Sequence, residues 1–363
     1  MQKVKEKSSK RLNIVKRLAS TQWGADKKTL RQLYIGYVRS TMEYNIALQS
    51  ISSDSTQASL DKVESSAVHF IAGAMRSAPT AACHIHTNIQ PIGLRREAAV
   101  LEMTERYRRQ EKHLPNAKIV NEWKENTRIQ KKSILKVEKK LQEKHHLPEH
   151  RKTEHFIEKN RQPGQASRTP TIHLDLKSKM SKQSSDVLDM QKTGLQTIQS
   201  YPDNCIHVYT DGSAFKGTVN AGYGVRIEYP DKSLEEISNP CGAHCSNFEA
   251  EAIAINTAIK TIKEKFTENP NLQTKIVIFS DAKSVLQALN SERFSSNAIQ
   301  ELSTSMDLFM NEFKQEITLQ WIPSHCEING NERADALAKK GASKEQPENE
   351  TSLTTCKEII KSN

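Results

Sequence analysis

The stretch Lys275–Ser284 reads K-I-V-I-F-S-D-A-K-S. Ile276, Val277, Ile278 and Phe279 are apolar in succession, with no alternation between core and water, so they predict a strand buried on both faces. Such a strand needs helices packed on either side, which makes the surrounding region α/β. An aspartate follows directly, and in open α/β sheets ligand chemistry gathers beyond the carboxyl ends of strands. Asp281 is therefore a candidate functional residue, although a single Asp there also serves as a helix N-cap or a turn former.

Working outward, Ile206–Thr210 predicts another strand, and it ends in the same way, at Asp211 within Y-T-D-G-S. Gly222–Tyr229 alternates as a third strand and Ile317–Ile322 forms a fourth. Between them, Ser246–Lys265 places Phe248, Ala252, Ile255, Ile259 and Ile262 on one helical face. Further helices are predicted over Ala282–Leu289, Ala298–Phe313 and Asn331–Lys340, the last ending at Gly341. Glu251 borders the buried stripe of its helix, and Asp335 does the same beside Ala334, Leu337 and Ala338. Four carboxylates brought together would repel one another unless a cation lay among them, and a hard divalent cation with oxygen ligands answers that need.

Four segments in this order carry a resemblance: T-D-G-S (Thr210–Ser213), F-E-A-E-A (Phe248–Ala252), F-S-D-A-K-S (Phe279–Ser284) and W-I-P-S-H-C-E-I-N-G-N-E-R-A-D-A-L-A-K (Trp321–Lys339). Together they resemble the type-1 ribonuclease H domain, especially the version at the end of non-LTR retrotransposon polyproteins. The resemblance implies a five-stranded mixed sheet flanked by helices. It also implies metal-binding carboxylates at Asp211, Glu251, Asp281 and Asp335, and a mobile histidine at His325 that assists water delivery or product release. Glu249 rivals Glu251, but position 251 matches the family's acidic residue and 249 a variable one. Two Mg2+ ions, with Mn2+ able to substitute, would then support hydrolysis of the RNA strand of an RNA-DNA hybrid, leaving 3′-hydroxyl and 5′-phosphate ends. Gly212, Ser213, Ser246, Asn247 and Ser284 are candidates for contacts to sugar and phosphate, each with an equal reading as a turn or cap residue. Two departures stand out. Glu327 occupies a position where glycine is usual, and no basic substrate-gripping loop lies between Leu289 and Ile317.

The amino-terminal part predicts a small helical unit over residues 1–109. Leu30, Leu33, Tyr34, Tyr37 and Val38 form one stripe, Leu60, Val63, Ala67 and Phe70 a second, and Leu94, Ala98 and Leu101 a third. Asp26 is a plausible N-cap. The stretch from Arg17 to Tyr44, with Ile71–Pro79 and Leu94–Glu97, resembles the helical region after the palm of non-LTR reverse transcriptases. No Y-x-D-D motif accompanies it, so polymerase activity is not expected, and the chain resembles the tail of a retrotransposon polyprotein. The rest of such a polyprotein is then an implied partner. Residues 110–200 lose apolar periodicity and are interrupted by Pro148, Pro163 and Pro170, which predicts a charged, largely flexible linker. His145, His146, His150 and His155 in that stretch read as solvated. Residues 201–344 then form the α/β domain and 345–363 a tail.

Composition sets the outer limits. The 363 residues are 36% apolar and 26% charged, with a mean hydropathy of −0.67, which suits folded units joined by a polar segment. Residues 1–200 hold 37 Lys and Arg against 20 Asp and Glu, a balance of +17; residues 201–363 hold 16 against 23, a balance of −7; the total is the formal +10. A basic half joined to an acidic half fits one part that grips a polyanion and another that acts on it. No apolar run is long enough to cross a bilayer and no h-region follows the basic start, which predicts an intracellular protein, cytoplasmic or nuclear, neither secreted nor in a membrane. The six scattered cysteines read as free thiols, Cys241 and Cys245 included. Two functions remain open at this level: an active hybrid ribonuclease and a non-catalytic nucleic-acid-binding relic.

Overall fold

A computed structural model describes residues 1–19, 24–126, 128, 131–154, 169–176, 187–269, 274–291 and 296–362. They divide into two compact units, Met1–Leu147 together with the residues from Ile360 on, and Pro148–Ile359. No helix among the described residues is long and apolar enough to cross a membrane.

The first unit is helical, as its stripes predict. Asp26 caps helix Lys27–Leu33 by accepting the Thr29 N–H at 2.8 Å. That helix continues as a π-helix over Tyr34–Arg39. The wider turn keeps Leu30, Tyr34 and Val38 buried and leaves Tyr37 exposed. Helix Asp54–Ala72 buries Leu60, Val63 and Ala67, and helix Ile92–Arg108 buries Val100 and Leu101.

The expected linker is the main correction. It contains helices Pro115–Glu122, Ile134–His145 and Val187–Gln199 and a short strand, Thr171–His173. Pro115 starts a helix because its fixed φ suits the first turn, and Ser133 caps the next by accepting the Lys136 N–H at 3.2 Å. Glu138 is then buried against Arg108 at 2.9 Å. Helix Ile134–His145 is held by ion pairs with residues outside it, Arg108, Glu125 and Glu97, and its apolar stripe of Ile134, Val137 and Leu141 is short enough to be missed among the surrounding charges. Pro163 and His155 lie outside the described residues, and the division between units falls at Leu147 and Pro148 rather than at residue 200.

Among the described residues, the strands of the second unit are β1 (Thr171–His173), β2 (Ile206–Phe215), β3 (Val219–Glu228), β4 (Leu234–His244), β5 (Ile276–Ser280) and β6 (Ile317–Trp321). They form one sheet in the order β1-β6-β5-β2-β3-β4, one strand more than the expected five. The additional strand is β1, which pairs in parallel with β6. β5 is buried along its whole length, as its unbroken apolar run requires. Helices Asn247–Glu268, Lys283–Leu289 and Asn297–Phe313 supply the main core, where Phe266, Phe309 and Phe313 meet ring to ring within 5.5 Å.

Helix Asn329–Ala342 packs on β3 so closely that a Cβ on Gly224 would lie 2.1 Å from the Ala334 carbonyl oxygen. Glycine is obligatory at that crossing. The expected tail is also ordered in part: the Gln346 side chain accepts the Gly242 N–H at 3.0 Å, and Asn349 donates to the Cys241 carbonyl at 2.7 Å.

Candidate metal centre

β2 and β5 run parallel, with Thr210 opposite Ser280. The next residue on each is an aspartate, so the register alone sets Asp211 and Asp281 side by side. Helix Asn247–Glu268 brings the third carboxylate. A Cβ on Gly212 would lie 2.4 Å from the Glu251 backbone nitrogen, and only glycine lets the helix approach the strand this closely. Oxygens of Asp211, Glu251 and Asp281 all lie within 4.8 Å of one another, the group among the described residues that is competent to hold a metal ion.

The electrostatics of this cluster are unfavourable without a cation. Asp211 is 7% exposed, and burial together with the neighbouring Asp281 pushes its carboxyl up to about 7. Glu251 is raised well above the usual carboxylate range by burial and by Asp211 and Asp281. Asp281 is raised chiefly by burial, against which Asn331 and His325 act. One oxygen of Glu251, Oε2, is buried with no hydrogen-bond partner. Three converging carboxylates, a raised affinity for protons and an orphaned acceptor together fit a hard divalent cation.

Asp335 stands at the edge of this group. It is half-buried on helix Asn329–Ala342, raises Asp211 and Asp281, and is bound by Lys339 one turn on at 2.6 Å. Asn331, one turn earlier, donates to Asp281 Oδ2 at 3.1 Å. Sequence reading passed over Asn331 and Lys339, although their spacing of four residues on either side of Asp335 puts all three on one helical face. Glu249, the rival to Glu251, turns away and accepts the Thr355 hydroxyl.

The family model described as RNase H matches residues 203–343. These residues form a ribonuclease H domain. Ribonuclease H of Saccharomyces cerevisiae is 30% identical over 199 residues, covering 46% of this chain and 56% of the yeast protein. The chain thus spans little more than half the length of that relative. Ribonuclease H of Alcanivorax borkumensis is 26% identical over 144 residues, covering 37% of this chain and 89% of its own. Among solved structures, LC11-RNase H1 in complex with an RNA/DNA hybrid is 19% identical, covers 38% of this chain and 96% of its own, and has a TM-score of 0.33.

Within the ribonuclease H domain, His325 is exposed on the loop between β6 and helix Asn329–Ala342, near enough to act on Asp281. His325 and Glu327 both have left-handed backbone, with φ of 53° and 55°. A residue with a Cβ adopts that conformation at a cost of about 1–2 kcal/mol. Of the remaining candidates, Gly212 is committed to close packing. Ser246 is a buried cap whose hydroxyl accepts the Glu249 N–H at 3.3 Å. Ser213 is half-buried on β2, while Asn247 and Ser284 are exposed at the first turns of their helices. The six cysteines are buried thiols, and the hydrogen-bonded Cys241 thiol, together with burial, pushes Cys245 up.

Proposed function

We propose that the chain hydrolyses the RNA strand of RNA-DNA hybrids at the Asp211, Glu251, Asp281 and Asp335 cluster, leaving 3′-hydroxyl and 5′-phosphate ends. The observation that carries this reading is the mutual approach of three carboxylates within a ribonuclease H domain, with a buried oxygen of Glu251 left unsatisfied. Asp211, Glu251 and Asp281 would hold the ions, with Asp335 at the margin. Two Mg2+ ions, with Mn2+ able to substitute, supply an activated water and charge stabilisation at the leaving oxygen when bound there.

The protein's own part is positional. β2 and β5 fix two aspartates by register, Asn331 orients Asp281, and Lys339 restrains Asp335. His325, exposed on its loop, would assist water delivery or product release. Ser213, Asn247 and Ser284, with the backbone at Gly212 and Ser246, are the proposed contacts to sugar and phosphate, and selection of the 2′-hydroxyl on one strand would account for a preference for RNA. The basic first 200 residues add affinity for the hybrid through its phosphates. The chain's likeness to the end of a retrotransposon polyprotein makes the rest of such a polyprotein its proposed partner.

The test incubates the full chain and its Asp211→Asn variant with labelled hybrid, double-stranded RNA and double-stranded DNA, in Mg2+, Mn2+ or EDTA. Metal-dependent cleavage of the hybrid's RNA alone, lost in the variant, is the expected result. A folded chain that binds hybrid and leaves it intact in both metals would overturn the enzyme reading in favour of a binding relic.

A further inference from the structure

The matched ribonuclease H span begins at residue 203, yet helix Val187–Gln199 lies against the histidine loop inside the same compact unit. Three contacts define that packing. Ile198 shares one apolar cluster with Ile322 and Ile328, the residues at the two ends of the loop. A Cβ on Gly194 would lie 2.8 Å from Ile328 Cδ1 and 3.3 Å from Pro323 Cδ, so the helix backbone itself rests on the loop. The Gln191 amide reaches the Glu327 carbonyl at 3.5 Å and its carboxylate at 3.4 Å. Glu327 is one of two residues that the loop holds in left-handed backbone, and His325 is the other.

We infer that helix Val187–Gln199 is a brace that positions the His325 loop, with Gly194 and Gln191 as its positioning residues. A loop containing two left-handed residues with side chains has reason to relax, and it keeps its shape only while its surroundings hold it there. Here the surroundings are a helix that the matched family span does not include. Gly194 supplies the close approach, Ile198 fixes both ends, and Gln191 meets Glu327, the residue that replaces the usual glycine. The departure at 327 and the added helix are therefore linked: the helix gives a side chain at that position a partner. This inference rests on reading His325 as part of the hydrolytic site.

The experiment compares the full chain with three variants, measuring kcat and KM for hybrid cleavage in Mg2+ and amide hydrogen exchange across residues 322–328. Gly194→Leu is expected to lower kcat about tenfold while KM stays within about twofold, because a catalytic group is displaced and the hybrid is still bound. Exchange in the loop should quicken while β2 and β5 keep their protection. Gly194→Ala is expected to lose part of kcat, and Ile328→Val, which removes the δ methyl that the new Cβ would meet, is expected to restore it in the double variant. Unchanged kcat and loop exchange in Gly194→Leu would overturn the inference. If that variant loosens β2 and β5 as well, Gln191→Ala decides without added bulk: faster loop exchange upholds the brace and unchanged exchange removes it. A wild-type chain that does not cleave hybrid sinks the hydrolytic reading, while loop exchange still judges the brace.

Discussion

In the first unit the most deeply buried carboxylate, Glu105, lies 3.3 Å from the equally buried Arg109, and Glu138 lies 2.9 Å from Arg108. In the second unit Asp211 and Glu251 are buried and Asp281 is half-buried, and what their oxygens meet is chiefly one another. Both arrangements bear the cost of desolvating charge. In the first, Arg109 and Arg108 compensate these two carboxylates from within the chain. In the second, compensation is left to something that binds, and this is what separates a structural charge from a functional one.

The largest expected effect is at the unpaired cluster. Asp211→Asn should lower hybrid cleavage by about 10³-fold, since it removes one group of a preorganised electrostatic site. The same change should raise the melting temperature of the metal-free chain at pH 8, because it removes one of three mutually repelling charges. A lower melting temperature would show that the carboxylates are already compensated, and the contrast between the units would fail.

At the paired cluster the opposite holds. Arg109→Leu leaves Glu105 buried without that partner, and its expected cost is about 3–5 kcal/mol of stability, read by denaturant unfolding. The response of the chain to Mg2+ should be unchanged.

Titration sharpens the comparison further. Asp211 has its folded-state value raised to about 7 from an ordinary 3.8, so the folded chain holds that proton more tightly than the unfolded one. The stability this contributes is fully present below about pH 4 and is lost as pH rises through about 7. Melting of the metal-free chain should therefore fall across that window. Millimolar Mg2+ should restore it at pH 8, because an ion that binds only the folded state stabilises by mass action. Equal melting temperatures at pH 8 with and without the ion would remove the cation from the argument.

The smallest effect is expected at Glu249→Ala, which loses the acceptor of the Thr355 hydroxyl, a contact worth about 1 kcal/mol, and should leave cleavage within about twofold of the parent chain.

Much of the α/β region could be read from the sequence because its signals are local. The unbroken apolar run of β5, the strand-ending aspartates and the stripe of helix Asn247–Glu268 each need only a few neighbours to be recognised. β4 escapes the residue pattern, since Glu235, Glu236, Asn239 and Pro240 break its alternation and its buried residues are confined to Cys241 and Gly242. The helices within residues 110–200 are harder to read because their stripes are short and their anchors distant, as with Glu138, which pairs with Arg108 30 residues away. At the site, residue types and order pointed to Asp211, Glu251 and Asp281. Spacing could not reveal that Gly212 is needed for the approach of a helix, that Ser246 is a buried cap, or that Asn331 steadies Asp281.

β1 carries a practical consequence. It pairs with β6 on the outer side of the sheet, although it lies about 30 residues ahead of the matched span. A fragment begun at residue 203 would leave β6 with a bare row of backbone donors and acceptors, a template for pairing with another chain. Clumping or low yield of such a fragment would then belong to the cut and say nothing of the parent's solubility. Expression begun at Pro148 keeps that edge covered.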